Sequence, residues 1–248
     1  MYKTAHFYFL ICIVLVSCNK RTIPLKNPVQ EQKVLKVKEI RHDGVVDFQN
    51  ISRLLDEKVE TNYVDIRNWS AFPYEPKVSF KIAHSDNQIW LKWQVEEENI
   101  LAERTEPNSY VFKDSCVEFF FDPMADGNYY NFETNCIGTI LSAYGPQRKP
   151  REYLSADTIK NIIQVESSLG SQSFSEKTGG HTWEMLMVIP AEVLTHNPDI
   201  QLKGLKSRAN FYKCGDATSK RHYLSWNPIS TQKPDFHRPE FFGELIFE

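Results

Sequence analysis

The 248-residue chain holds only 10 glycines, and it carries neither a Walker loop nor a glycine-rich dinucleotide fingerprint, which sets aside the phosphate-cradling α/β folds. No Gly-x-Ser-x-Gly elbow and no His-Glu-x-x-His pair occurs, so those hydrolytic centres are missing as well. Basic excess is absent. The 29 Lys and Arg stand against 32 Asp and Glu, a net charge of −3, and no Lys/Arg stripe is interleaved with aromatics, so nucleic acid is not an expected partner. Low-complexity tracts and internal repeats at solenoid or propeller periods are lacking too. What is abundant is aromatic: 13% Phe, Trp and Tyr, a balance suited to strands with large half-buried side chains.

Cysteine is scarce and oddly placed. Cys12 and Cys18 lie in the first eighteen residues, leaving Cys116, Cys136 and Cys214 for the body of the chain. Three thiols allow at most one internal bridge. None shows CxxC spacing or a neighbouring His pattern, so a zinc site is not expected and buried free thiols are.

The N-terminus reads as an export signal. Lys3 precedes an apolar run from Phe7 to Val16, closed by Leu15-Val16-Ser17-Cys18, which resembles a bacterial lipobox. The run is shorter than the roughly 20 residues that span a bilayer. Residues 1–17 are therefore expected to be cleaved and Cys18 to become a lipidated terminus, holding the protein at a bacterial membrane, the outer membrane in the first instance. Residues 18–33 are polar, carry two prolines and lack an apolar period, as a flexible tether would.

From residue 34 the pattern is of short strands. Segments 34–40, 78–84, 89–97, 116–122, 129–137, 139–143, 162–166, 181–189, 202–213, 223–226 and 241–247 alternate or run apolar between turn residues. About eleven such strands in one domain spanning 34–248 predict an all-β fold, an antiparallel, jelly-roll-like β-sandwich. Helical signal is confined to single turns at 51–55 and 190–194.

The segment most suggestive of chemistry is Asp114-Ser115-Cys116-Val117-Glu118-Phe119-Phe120-Phe121-Asp122. Its period of two puts Val117, Phe119 and Phe121 on one face and Glu118 on the other. Asp126-Gly127 predicts a turn, after which Tyr130, Phe132, Thr134 and Cys136 share a face opposed to Asn131, Glu133 and Asn135. Apolar faces sharing one core set Phe119 opposite Phe132 and Glu118 opposite Glu133. Like charges facing across a ladder are unfavourable unless a cation, a ligand or solvent compensates them, so this polar face is the first candidate site. Trp226, at a strand end before a proline-bearing loop, can either plug the core or offer a stacking platform to a sugar ring.

These elements, with Leu224-Ser225-Trp226 and Arg238-Pro239-Glu240-Phe241-Phe242-Gly243, resemble the family 9-like carbohydrate-binding modules over roughly residues 34–248. The resemblance implies an antiparallel sandwich, structural calcium in some members, no other cofactor, and a sugar end clamped by two aromatics and bound through a glutamate. Carried over, Glu118 matches the glutamate and Trp226 the late tryptophan, while the early tryptophan position is Phe112. Asn131, Glu133 and Asn135 are expected to line the site. The expected partner is an oligosaccharide or polysaccharide, with a protein partner in a glycan-utilisation assembly as a further expectation.

Other classes remain in view. A scaffolding lipoprotein that has lost sugar binding would keep the same sandwich. A glycosidase would use Glu118 and Glu133 as its paired carboxylates, though the chain offers no other sign of a substrate groove. Met185, Met187 and His181 raise haem ligation, against which stands the apolar character of both faces of that strand.

Overall fold

The computed structural model describes residues 1–2, 32–42 and 47–248. Cys18 and almost all of the expected signal (1–17) and tether (18–33) lie outside the described residues. Among the described residues there are fourteen strands: β1 (Val34–Glu39), β2 (Asn62–Tyr63), β3 (Ile66–Arg67), β4 (Lys77–Ser85), β5 (Gln88–Ala102), β6 (Cys116–Asp122), β7 (Tyr129–Asn135), β8 (Ile140–Gly145), β9 (Glu152–Tyr153), β10 (Gln164–Ser167), β11 (Phe174–Pro190), β12 (Lys206–Cys214), β13 (Tyr223–Ser225) and β14 (Gly243–Phe247). Two α-helices accompany them, α1 (Phe48–Lys58) and α2 (Ala156–Ile162).

The strands follow one hydrogen-bonded path, β10-β11-β5-β4-β1-β14-β12-β6-β7-β8-β9. It folds over at β1, whose residues 34–37 pair parallel with β14 and whose residues 38–39 pair parallel with β4. The remaining pairs are antiparallel. The back sheet is thus β10-β11-β5-β4 and the front sheet β14-β12-β6-β7-β8-β9. Phe80 of the back sheet stacks on Phe211 of the front sheet at 3.9 Å between centroids, and Trp93, Trp183, Phe119 and Phe132 fill the same interior. Met185 and Met187 belong to this core.

Turn chemistry accounts for several registers. Asp86 and Asn87, both at positive φ, make the two-residue hairpin between β4 and β5, a conformation Asp and Asn tolerate better than other side chains. After β6, the Asp122 carboxylate accepts the backbone N–H groups of Asp126 and Gly127 at 3.2 and 2.8 Å, and Gly127 adopts φ +91°. This is the expected turn, within a longer loop.

Two outer layers complete the fold. On the back sheet, α1 starts at Asp47, whose side chain accepts from Asn50 N–H at 2.8 Å. Its Ile51, Leu54 and Leu55 bury against Ala83, Trp90, Leu186 and Val188. On the front sheet, loops rather than a helix supply the cover, with Trp69, Val111, Ile229, Phe236 and Phe242 packed on Phe120, Tyr129 and Tyr212. That cover is incomplete.

Candidate functional site

Where the loops leave the front sheet open lies a cavity of about 320 Å³. Strand parity determines its floor. Phe119, Phe121 and Phe132 turn into the sandwich, so Glu118 of β6, Asn131 and Glu133 of β7, Leu141 and Ala143 of β8 and Cys214 of β12 face outward and line the cavity. The ladder sets Glu118 directly opposite Glu133 and Phe119 opposite Phe132, the pairing read from the sequence.

The walls come from three connections. A 3-10 turn at Val111–Lys113 carries Tyr110 and Phe112, its carbonyls at Phe112 and Lys113 accepting from Asp216 and Ala217 N–H at 3.1 and 2.9 Å. Residues 148–153 bring Arg148, Arg151 and Tyr153, and residues 234–237 bring Asp235, Phe236 and His237. Tyr110 and Tyr153 are 56% and 53% exposed at the rim, Tyr110 with its ring 5.4 Å from Phe112 and the Lys113 ammonium 5.5 Å from its centroid. Phe236 instead stacks on Tyr212 at 4.1 Å, and acts as wall.

Burial governs the electrostatics. Glu118 and Glu133 are 3% and 4% exposed. Burial first, and then the charge of Glu133, raises the Glu118 carboxyl well above the usual range. Burial likewise raises Glu133, to about 7, against the hydrogen bond from Asn131 and the pull of Arg151 and Arg148. At neutral pH the pair therefore retains a proton, and presents both donor and acceptor oxygens to the cavity. Burial, then Arg148 and Arg151, lowers His237 to about 3. It stays neutral, sharing a 2.8 Å hydrogen bond between Nδ1 and the Tyr129 hydroxyl.

Arg151 holds the floor in shape. Its Nε donates to Asn131 Oδ1 at 3.0 Å and its other donors go to the carbonyls of Tyr129, Ala143, Gly145 and Gln147 at 2.8–3.0 Å. Asn131 Nδ2 in turn donates to Glu133 Oε1 at 2.9 Å. Both ends of the amide are committed, so Arg151 orients Asn131 and Asn131 orients Glu133.

The structure thus gathers Phe112, Glu118, Asn131 and Glu133 and separates them from two other expected site residues. Trp226 is a correction: it lies in the core, edge-on to Phe211 at 5.6 Å, on the same inward parity as Leu224. Gly243 makes room for it, since a Cβ there would stand 2.4 Å from the indole. Asn135 is also a correction. Its Nδ2 donates at 2.8 Å to the buried Asp114 carboxylate and to Arg104 O, and its Oδ1 accepts from Thr139 N–H, which makes it a brace beneath the loop. Arg148, Arg151, Tyr110 and His237 escaped the sequence reading because they sit in connections, and Tyr153 because its strand β9 has only two residues, too few for a periodicity to mark a face.

Calcium, which the resemblance implies, takes oxygen ligands. Among the described residues, the grouping of three His, Cys, Asp or Glu donors is Cys116, Glu118 and Cys214, and thiols are poor partners for an oxygen-seeking ion.

Comparison with known proteins follows this geometry. The model of carbohydrate-binding family 9 matches residues 49–247. A crystal structure of a candidate carbohydrate-binding protein from Bacteroides uniformis aligns at 38% identity with a TM-score of 0.84, covering 88% of this chain and all of that one. A family 9 module from Caldicellulosiruptor kristjanssonii in complex with glucose aligns at 16% identity and TM-score 0.53, over 87% of this chain and 96% of that one. Its cellotriose complex gives 16% and 0.52, over 87% and 94%. Comparison with curated proteins gives no match. With its family model matched over most of its length and the front-sheet sandwich in place, the chain belongs to carbohydrate-binding family 9.

Proposed function

We propose that the front-sheet cavity binds part of an oligosaccharide or polysaccharide without cleaving it. The observation that carries this reading is the pairing of a polar floor with an aromatic rim: Glu118, Glu133 and Asn131 below, Tyr110, Phe112 and Tyr153 above. Sugar rings offer C–H faces that pack on aromatic planes and hydroxyls that need paired donors and acceptors. A carboxyl pair holding one proton supplies both kinds to adjacent hydroxyls. The glucose and cellotriose complexes of the Caldicellulosiruptor module make β-glucans the first ligands to try.

A glycan array followed by calorimetry tests the reading. It expects a hit whose affinity falls with Tyr110→Ala and Glu118→Gln; an array with no hit overturns it and leaves the scaffolding role, with a protein partner on the same face. We further propose export and lipid anchoring through Cys18, placing the domain on a bacterial membrane. Cys18→Ala should move the protein to the soluble fraction, and unchanged membrane retention would sink that proposal.

A further inference from the structure

Cys116 and Cys214 are far apart in sequence but are direct partners in the β12–β6 ladder. Both face outward, on the Glu118 side of the sheet. The Cys214 thiol donates to Glu118 Oε1 at 3.1 Å, and the three ligand atoms, two sulfurs and one carboxylate oxygen, all lie within 4.8 Å of one another. Among the described residues no basic side chain is hydrogen-bonded to this group: the Arg148 guanidinium goes to Asp235, Arg151 is spent on carbonyls and Asn131, and Lys213 points to the opposite face.

We propose that Cys116, Cys214 and Glu118 form a binding site for a thiophilic divalent ion, zinc in the first instance, set into the floor of the cavity. A tetrahedral zinc bonds sulfur at about 2.3 Å and oxygen at about 2.0 Å, which spaces its ligand atoms ~3.5–3.8 Å apart. The three atoms, within 4.8 Å of one another, would close to that spacing around the ion. Cys214 and Glu118 line the cavity and give the ion its route in from solvent. Cys116 lies behind them as the anchoring ligand. Binding exchanges water ligands of the hydrated ion for two Zn–S bonds and one Zn–O bond, breaks both S–H bonds, and releases the displaced waters and the thiol protons, with any proton on Glu118, through the cavity to solvent. Two thiolates exclude calcium and magnesium, which prefer oxygen. The ion also supplies the positive charge that two facing carboxyls lack. A fourth ligand position remains for water or a ligand oxygen, as in open zinc sites. CxxC spacing is absent because ladder pairing, not local sequence, brings the sulfurs together.

The test uses the full chain, purified with reductant and without chelator, then freed of reductant under anaerobic conditions. Adding cobalt(II) should produce thiolate-to-cobalt charge-transfer absorption with the visible bands of a four-coordinate ion, saturating at one equivalent, and zinc should bleach both. Cys116→Ser and Cys214→Ser should each remove about half of the charge-transfer intensity, and Cys136→Ser, on the inner face, should keep all of it. Should the serine variants fail to fold, alkylation of the parent protein decides: one equivalent of zinc should slow modification of Cys214 at least tenfold. Absence of the charge-transfer band overturns the proposal. So does a band that survives in the Cys116→Ser/Cys214→Ser double variant, or thiol titration in denaturant showing the two cysteines already joined as a disulfide in protein isolated without reductant. None of these readouts depends on sugar binding, so this proposal and the glycan reading stand or fall separately.

Discussion

Glu118 and Glu133 face each other across the β6–β7 ladder with both carboxyls buried. A structure that served only stability would not place them so, because each carboxylate opposes ionisation of the other in a site that burial already makes hostile to charge. The arrangement lines the cavity, and it has a measurable cost. Glu133 holds its proton to about pH 7 in the fold, but to the ordinary carboxylate range in the unfolded chain. The folded state therefore binds more protons between those limits, and this group's contribution is fully present below about pH 4.5 and lost as pH rises through 7. Glu133→Gln, which still accepts from Asn131, should be more stable than the parent by about 2–4 kcal/mol at pH 8 and equal to it near pH 4. Denaturant melts of both proteins across that range measure the difference, and parallel curves would refute the account.

A second prediction separates stacking from packing. Trp226 sits in the core against Phe211 and Gly243, so Trp226→Ala should destabilise the fold by about 3–5 kcal/mol, as should Phe119→Ala. Tyr110 is exposed at the rim. Tyr110→Ala should leave the melting temperature unchanged while weakening sugar binding by roughly 1–3 kcal/mol, the scale of base-on-aromatic stacking. Thermal melts and calorimetry on the same variants distinguish the two roles.

Arg151 gives a third. All five of its guanidinium donors find acceptors, a fork that three ammonium donors on a lysine cannot reproduce. Arg151→Lys should cost about 2–4 kcal/mol through carbonyls left without partners. It should also speed amide exchange over residues 145–153 and weaken sugar binding, since Asn131 then loses its orientation. Exchange unchanged in that segment would show that the loop holds itself.

Strand parity made the central pair legible: alternation over 116–122 and 130–136, with the Asp126-Gly127 turn between, sufficed to predict Glu118 opposite Glu133. Alternation also marks Trp226 as internal, because it shares parity with Leu224; its place in the expected site came from the family resemblance. The rest needed three dimensions. That Cys116 meets Cys214 depends on β12 pairing with β6, a contact between distant segments that composition cannot report. The parallel seam at β1 and the length of β5 and β11 follow from sheet closure, which local propensity does not encode. Helix α2 escaped because its capping Ser155 precedes only one buried residue, Ile159, too little to register as a period.

The last prediction concerns the inner face of β12, one residue from the proposed metal ligand. The Lys213 ammonium is fully buried, 2.9 Å from the Glu97 carboxylate of β5, and it also bonds Cys214 O at 3.0 Å and His222 Nε2 at 2.8 Å. The ammonium thus has two hydrogen-bond partners and one ion-pair partner, while Glu97 Oε2 itself takes no hydrogen bond. Because His222 Nε2 must accept, its proton sits on Nδ1, which donates to Lys220 O at 2.8 Å. Burial, then the Lys213 charge, lowers His222 well below its usual range, so the ring remains neutral and Nε2 stays an acceptor. Glu97 has a second partner in Trp183 Nε1 at 2.7 Å, and so ties together β5, β11 and β12 across the sandwich. Lys213→Met leaves that carboxylate buried without its cation and should cost about 3–5 kcal/mol. Adding Glu97→Gln removes the orphaned charge and keeps an acceptor for Trp183, so the double variant should recover to within about 1 kcal/mol of the parent, the usual outcome when a buried ion pair is replaced as a unit. A double-mutant cycle from denaturant melts measures the coupling. If the two losses simply add, Lys213 and Glu97 do not act as a pair, and the tie between the sheets rests on the surrounding aromatic packing instead.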